Sequence, residues 1–233
     1  MAIFNAGDEY YENDPDLIDS KRDLKYFWKR LKQVVEDPLG ANAGITAREL
    51  RVPNQDRFGG GFMANGIFDL NKKINKISGV ISDFRIYLPK NGYPYEANGI
   101  TLDSNDSAIG KFKKFRRKVI SQDDVFGIWS GPAAELDGGR GNDYFDLIVD
   151  YAKVTGGKGK DRYYFRPDRA KKGTLLITDF SSKKDAIQIN AVDATSLKVS
   201  TLGDNTILEI GTNKEVIFKD RILGIEDIGV VVI

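Results

Sequence analysis

Cysteine and histidine are both absent from this 233-residue sequence. Without cysteine there are no disulfides, zinc-thiolate sites or cysteine nucleophiles. Without histidine there is no Ser-His-Asp or Cys-His catalytic arrangement and no usual zinc-hydrolase ligand set, and the side chain that most often transfers protons near neutral pH is missing. Both absences weigh against catalysis, so we expect a protein that is not an enzyme.

An excess of charge of either sign is also lacking. The 35 basic and 34 acidic residues leave a net charge of +1, which gives no whole-chain reason to expect nucleic acid or an anionic membrane as a partner. Residues 1–8 show no cationic stretch leading into an apolar run, so we expect no cleavable secretion signal, and no apolar run predicts a membrane span.

The first half of the chain predicts an α+β region. Residues 14–37 predict one amphipathic helix, which Pro38 and Gly40 end and which a loop follows through Gly59–Gly61. Its apolar face consists of Leu24, Phe27, Leu31, Val34 and Val35.

Alternation from Phe62 to Leu88 predicts strands, which continue toward Leu102. The inward parity is Val80, Phe84, Ile86 and Leu88, with Ser82 as the exception. Asn71–Lys73 and Lys90–Gly92 are predicted hairpin turns, so we expect antiparallel pairing.

A basic run with two aromatics spans residues 111–118. One interpretation is contact with an anionic polymer or lipid headgroup. The other is a short amphipathic segment whose Phe112 and Phe115 face the core while the cations stay hydrated. The neutral chain favours the second interpretation.

An internal repeat begins after Asp123. Gly138–Asp143 and Gly156–Asp161 share the pattern G-G-x-G-x-D and start 18 residues apart, which is twice nine. An apolar residue recurs at nine-residue steps through Leu136, Phe145, Val154 and Tyr163. Two unrelated glycine-rich surface turns are the alternative, but a second copy in register makes a true repeat the better explanation.

Each nine-residue half-coil predicts a tight turn followed by a very short strand. Two half-coils return the chain above its starting point, so the two glycine-rich turns would stack on the same side, with glycine permitting positive φ and close approach. Calcium takes six to eight oxygen ligands, and the carboxylates of Asp143 and Asp161 with several backbone carbonyls can supply them. Binding and folding would then be coupled.

Three segments resemble the RTX (repeats-in-toxin, hemolysin-type calcium-binding) family: Asp123–Phe126, Leu136–Phe145 and Leu176–Ile187. The resemblance implies a parallel β-roll that folds in calcium outside the cell after type I secretion, and it fits the lack of cysteine and of a cleavable signal. The implied metal-site residues are Gly138, Gly139, Arg140, Gly141, Asp143, Gly156, Gly157, Lys158, Gly159 and Asp161.

Several features depart from that family. The chain is neutral and has only two intact copies of the repeat, and Arg140, Lys158 and Lys160 lie inside the loops. Because these cations oppose calcium, we expect weak affinity, about 0.1–1 mM. Half-coils on the opposite side, such as 147–155, lack glycine pairs and predict no calcium there. Asp124 is a candidate for an extra site, although one residue too many separates it from the repeat register.

The expected fold is mainly β: a short parallel β-roll or β-helix in residues 121–233, preceded by the α+β region of residues 1–120, whose function the sequence does not reveal. Acidic and then apolar residues in 226–233 resemble the C-terminal export signal of some family members, and a final strand explains them equally well. Further strands are expected to extend and cap the roll at 174–177, 186–189, 197–199, 206–210, 215–218 and 229–233.

Three functions follow, in order of preference. The first is a secreted or cell-surface calcium-binding protein in which the ion stabilises the fold. The second is an adhesin or surface-layer component that binds polysaccharide or lipid; no nucleic-acid partner is expected. The third is a carboxylate-dependent hydrolase. Its candidate carboxylates are better explained as a solvated acidic segment; they are Asp8, Glu9, Glu12, Asp14 and Asp16.

Overall fold

The chain is mainly β, as predicted: strands make up 48% of it and helices are few. The computed structural model describes residues 2–6, 18–37, 44–46, 49–53, 61–71, 76–87, 95–103, 107–128, 133–169, 172–190, 197–228 and 230–232.

The strands in chain order are β1 (Ala2–Ala6), β2 (Ile18–Asp19), β3 (Gly44–Ile45), β4 (Glu49–Pro53), β5 (Gly61–Asn71), β6 (Lys76–Tyr87), β7 (Tyr95–Asp103), β8 (Val125–Ile128), β9 (Ala134–Asp137), β10 (Tyr144–Leu147), β11 (Tyr151–Thr155), β12 (Arg162–Phe165), β13 (Gly173–Ile177), β14 (Ala186–Ile189), β15 (Leu197–Leu202), β16 (Asn205–Ile210), β17 (Lys214–Phe218) and β18 (Val231–Val232).

The helices are α1 (Ser20–Glu36), α2 (Ser107–Gly110), α3 (Phe112–Val119) and α4 (Ile225–Ile228). Among the helices of the described residues, none combines the length and the hydropathy of a membrane-crossing segment. The chain divides into two compact units: Met1–Phe4 with Lys21–Ile120, and Asn5–Ser20 with Ser121–Ile233.

The first unit is an antiparallel sheet with helices. Its strand order is β1-β7-β6-β5-β4-β3, and each neighbouring pair is antiparallel. Helix α1 buries Leu24, Leu31 and Val34, which follow one another at helical spacing. In α3, Phe115 is fully buried and Phe112 is half-buried, as the amphipathic interpretation of the basic run predicts.

Two expectations for the first half were wrong in detail. Helix α1 begins at Ser20 and not at residue 14, because the chain first forms β2 at Ile18–Asp19; residues 7–17 lie outside the described residues. The stretch expected to be a loop contains β3 and β4. Of the predicted hairpin turns, Asn71 is the last residue of β5, and residues 72–73 and 90–92 lie outside the described residues; the antiparallel strands that the turns would join are present.

The parity break at Ser82 has a structural cause. The register of β6 against both neighbouring strands shifts between Ile81 and Asp83, which is a β-bulge. An extra residue turns the preceding side chains over, so Ile81 is buried and Val80 is only half-buried, contrary to the predicted parity. The Ser82 hydroxyl donates to the Asn65 carbonyl at 3.2 Å across the bulge.

The second unit is the predicted parallel roll. From β8 to β14, successive strands alternate between two sheets, and each strand pairs in parallel with the strand two places along the chain. The nine-residue register is confirmed, since Leu136, Phe145, Val154 and Tyr163 are each at most 1% exposed. Phe145 stacks on Phe126 at 4.8 Å and on Tyr163 at 5.2 Å between ring centroids.

The C-terminal strands extend this roll. β17 pairs in parallel with β13, and β16 and β15 continue the sheet in antiparallel fashion, so five of the six predicted strands form within two or three residues of their expected bounds. Within the sixth, predicted at 229–233, Val231–Val232 forms a strand paired with β14 and residue 230 is not part of it, while residues 229 and 233 lie outside the described residues; α4 precedes this strand.

Candidate metal centre

Four turns along one edge of the roll carry the candidate site. We call them turns 1 to 4: residues 122–124, 138–143, 156–161 and 179–185, which precede β8, β10, β12 and β14 respectively. Each ends in an aspartate immediately before its strand; these are Asp124, Asp143, Asp161 and Asp185. Because the strands pair in parallel, the four aspartates lie at the same level of the sheet.

Turns 2 and 3 lie directly over each other. Arg140 and Lys158 form a parallel β-bridge. In it the Lys158 amide donates to the Gly139 carbonyl at 3.0 Å, and the Gly141 amide donates to the Lys158 carbonyl at 2.9 Å. The 18-residue coil therefore stacks the two G-G-x-G-x-D turns, which is the geometry that the repeat predicts.

Glycine is required where the turns touch. Gly157 has φ = +102°, and a Cβ there would overlap the backbone carbonyl of Gly139, with the carbonyl carbon at 2.8 Å. A Cβ on Gly159 would overlap the Gly141 carbonyl in the same way. Side chains at these positions would separate the turns, so the repeat's glycines serve close backbone approach as well as positive φ.

A ladder of hydrogen bonds joins the aspartates. In turns 2, 3 and 4, the carboxylate accepts from the backbone amide of the aspartate in the turn before it. Asp143 Oδ1 accepts from the Asp124 amide at 2.9 Å, Asp161 Oδ1 from the Asp143 amide at 3.0 Å, and Asp185 Oδ1 from the Asp161 amide at 3.0 Å. These bonds orient the carboxylates of Asp143, Asp161 and Asp185.

Oxygen atoms from both turns converge around Gly138. A Cβ on Gly138 would overlap Asp143 Oδ2 and would lie 2.6 Å from the Gly156 carbonyl oxygen. Asp143 is 1% exposed, and its Oδ2 is buried without a hydrogen-bond partner. A buried carboxylate oxygen without a donor is costly, and a cation beside it and the carbonyl would remove that cost. The residues present therefore fit a hard divalent cation such as calcium.

The electrostatics of the ladder are unfavourable without a cation. Burial, followed by the neighbouring carboxylates of Asp124 and Asp161, raises the pKa of Asp143 from 3.8 to about 8. Burial and the carboxylates of Asp185 and Asp179 raise the pKa of Asp161 from 3.8 to about 6. Both shifts mean that the folded roll favours the uncharged form of these groups.

A pH dependence of stability follows from these pKa values. The two aspartates contribute most stability below about pH 3.8, where they are protonated in the folded and in the unfolded protein. That contribution is lost as the pH rises through the folded-state pKa values, about 6 for Asp161 and about 8 for Asp143. In the presence of a chelator we expect the unfolding temperature of the wild type to fall between pH 4 and pH 8 more steeply than that of Asp143→Asn/Asp161→Asn. Thermal melts followed by circular dichroism measure this; parallel slopes would contradict it.

Asp124 lies in the ladder, contrary to the predicted register. The coil between Asp124 and Asp143 is 19 residues long, not 18. Its strand registers show that the extra residue falls between β8 and β9, on the opposite edge of the roll, so it does not displace turn 1. Asp124 is 1% exposed and hydrogen-bonded to the site through its amide.

Turn 4 supplies two aspartates that the predicted site lacked. Both carboxylate oxygens of Asp179 accept from turn 3, from the Gly156 amide at 2.9 Å and the Gly157 amide at 2.8 Å. Asp185 Oδ2 accepts from the Ser181 amide at 2.8 Å. An aspartate followed two residues later by a large apolar residue recurs before β8, β10, β12 and β14, and this pattern could have identified Asp185 from the sequence.

The loop cations are exposed at the tips of the turns. Arg140, Lys158 and Lys160 all have exposed side chains, whereas Asp143 and Asp161 are buried. Exposed charges are screened by water and salt, so their opposition to a bound cation is weaker than that of buried charges at the same distance. Nowhere in the described parts of the chain do three or more His, Cys, Asp or Glu side chains converge to hold a metal, so an ion here would depend on backbone carbonyls as well.

These features define a parallel β-roll with one edge built from stacked glycine- and aspartate-containing turns. No protein-family model matches the sequence, and no curated protein matches it. Among solved structures, the extracellular lipase LipA from Serratia marcescens is similar at 14% identity with a TM-score of 0.29. The match covers 84% of this chain but only 31% of the lipase, and at that TM-score it carries no argument about this chain's activity.

Proposed function

We infer that this chain is a non-enzymatic, secreted or cell-surface calcium-binding protein of the RTX kind, in which the ion stabilises the roll. The observation that carries this proposal is the unpartnered, buried Asp143 Oδ2 beside the Gly156 carbonyl, in the space that a Cβ on Gly138 would fill. Asp143 and Asp161 would hold the ion through their carboxylates.

Backbone carbonyls of the two turns would complete the set. The turn residues concerned are Gly138, Gly139, Arg140, Gly141, Gly156, Gly157, Lys158 and Gly159, and Asp124 lies close enough to take part in the charge balance of the site. Bound calcium would supply the positive charge that the buried carboxylates lack. Because the two turns come together only in the folded roll, calcium would favour the folded state.

Secretion through a type I exporter is part of the same proposal, supported by the repeat and its resemblance. An adhesin that binds polysaccharide or lipid is the second candidate, which the basic helices of the first unit favour. The acidic residues proposed for a hydrolase, between Asp8 and Asp16, lie outside the described residues.

Calcium should stabilise the wild type and not a charge-neutral variant. Asparagine keeps the oxygen that accepts from the preceding amide and removes the negative charge, so Asp143→Asn/Asp161→Asn should fold. With a dissociation constant of about 0.1–1 mM, 10 mM calcium should add about 1.4–2.7 kcal/mol, or about 3–10 °C, to the unfolding of the wild type. Melts with calcium and with chelator, and calorimetric titration, measure both effects.

The difference in stability between the asparagine variant and the wild type without calcium provides a second test. In chelator at pH 8, the asparagine variant should be at least as stable as the wild type, because it removes the buried charge that the wild type leaves uncompensated. Asp204→Asn, at an exposed hairpin tip, is the matched control and should respond to calcium like the wild type. Equal calcium responses in all three proteins, or no calcium binding to the wild type, would refute the proposal.

A further inference from the structure

Helices α1 and α3 of the first unit are strongly basic, although the chain as a whole is neutral. The α1 sequence holds six Lys and Arg against two acidic residues, and the α3 sequence holds five against none. With 35 basic and 34 acidic residues in the full chain, the remainder is therefore acidic. Positive charge is concentrated on these two helices.

The two helices are in direct contact. The rings of Trp28 in α1 and Phe112 in α3 lie 5.6 Å apart between centroids. The Trp28 indole also donates to the carbonyl of Ile109 at 2.8 Å, just before α3. The basic run that the sequence showed as an isolated feature is thus joined to a second set of cations that is distant along the chain.

Both helices that make this contact also carry exposed cations. Lys32 lies over the Trp28 ring at 5.9 Å, and Lys25 and Lys29 share that side of α1 because residues three and four apart are neighbours on a helix. On α3, Phe112 and Phe115 turn inward, which leaves Lys113, Lys114 and Arg117 exposed. We name the basic face by its members: Lys25, Lys29, Lys32, Lys113, Lys114 and Arg117.

Lys32 of this face has an acidic neighbour on its own helix. Glu36 approaches Lys32 at 3.6 Å, and because the two side chains are 63% and 38% exposed, solvent weakens this ion pair. The other five members are exposed on two helices. A face of this kind complements a ligand with repeated negative charges rather than a single small anion.

We propose that the basic face binds an acidic polysaccharide, a linear polymer carrying repeated sulfate, phosphate or carboxylate groups. Lysine predominates on it, and lysine contacts such groups as a hydrated point charge without demanding one fixed geometry. A membrane fits less well, because a helix that binds at the lipid interface also presents large apolar side chains. The exposed large apolar residues of the described chain are Ile67, Tyr151, Leu202, Ile222 and Ile225, so none is among the α1 and α3 side chains whose exposure the structure describes.

The choice of a polysaccharide over nucleic acid rests on the proposed extracellular location. The proposal that the basic face binds a polyanion does not depend on that location. Binding would be electrostatic, so its affinity should fall as salt rises, with a slope that reports the number of cations engaged. Calcium at the roll is not required for it.

The test uses the full chain and heparin oligosaccharides of defined length, with affinity measured over a range of salt. Lys113→Gln/Lys114→Gln/Arg117→Gln should bind at least about tenfold more weakly, and Lys25→Gln/Lys29→Gln at least about threefold more weakly, each with a shallower salt dependence. The matched control, Lys198→Gln/Lys214→Gln/Lys219→Gln, removes the same charge from the second unit and should stay within about twofold of the wild type.

Several outcomes would overturn the proposal. One is the absence of heparin binding at low salt, and another is an equal loss in the control. An unchanged affinity in the α1 variant would exclude a face shared by both helices. Tighter binding to duplex DNA or to vesicles of anionic lipid would exclude a polysaccharide as the preferred ligand.

The two proposals fail separately. Asp143→Asn/Asp161→Asn should bind heparin like the wild type, with calcium or with chelator. Heparin binding without any calcium response would leave the basic face standing and remove the calcium function. A calcium response without heparin binding would support the calcium function and remove the proposal for the basic face.

Discussion

Replacing Phe145 by alanine is expected to lower the free energy of unfolding of the roll by about 3–5 kcal/mol. Phe145 is fully buried between two other aromatic rings, with Phe126 at 4.8 Å and Tyr163 at 5.2 Å, and all three rings are nearly parallel. Truncation removes both ring contacts and leaves a cavity at the centre of a stack that neighbouring coils cannot easily refill. Denaturant unfolding followed by circular dichroism measures the loss.

Two further variants keep this prediction testable if the alanine variant does not fold. Phe145→Leu preserves most of the buried volume and should cost much less than Phe145→Ala. Tyr151→Ala, at a ring that is 38% exposed on the same roll, should cost less than about 1 kcal/mol. A loss at Phe145→Ala no larger than at Tyr151→Ala would show that the stack does not hold the roll together.

The second large effect is expected at Gly157. Alanine there should destabilise the protein by at least about 2 kcal/mol more than Gly203→Ala, because both glycines have positive φ but only one faces a neighbouring backbone. The Cβ on Gly157 would overlap the Gly139 carbonyl of the turn below, whereas a Cβ on Gly203 meets nothing within 4 Å. Comparing Gly157→Ala with Gly203→Ala therefore separates the cost of the overlap with the neighbouring backbone from the cost of a positive φ, which both variants share.

Calcium provides a second measurement for the same pair. Pushing turn 3 away from turn 2 should weaken calcium binding by Gly157→Ala, while Gly203→Ala should bind like the wild type. Equal losses of stability and equal calcium affinities in the two variants would mean that the turns can separate without consequence. The stacked turns would then not be the element that holds the site.

The roll was predictable because its period is local. The nine-residue recurrence of Leu136, Phe145, Val154 and Tyr163 needs only the fact that a half-coil places one residue inward, and all four side chains are buried as expected. The stacking of turns 2 and 3 followed from the same period. The metal role of Asp143 and Asp161 stays a prediction that the calcium experiment decides.

Turns 1 and 4 were not recognised as part of the repeat because the coils that connect them to turns 2 and 3 are not 18 residues long. Asp124 precedes Asp143 by 19 residues, and Asp185 follows Asp161 by 24. Parallel pairing tolerates such insertions when they bulge out between strands, because the hydrogen-bonded strands keep their own register. The start of α1 was predicted too early for a different reason: residues at 18–19 join β9 as β2, and a long-range pairing overrides local helix signals.

The sequence by itself determined that this chain has no histidine or cysteine and that a short parallel roll with stacked glycine turns lies in its second half, because composition and a fixed period need no knowledge of distant contacts. Only the tertiary structure decided which four turns share one edge, where the unpartnered oxygen of Asp143 lies, and that the basic helices α1 and α3 are in contact. Those properties depend on residues far apart in the chain, and folding alone brings them together.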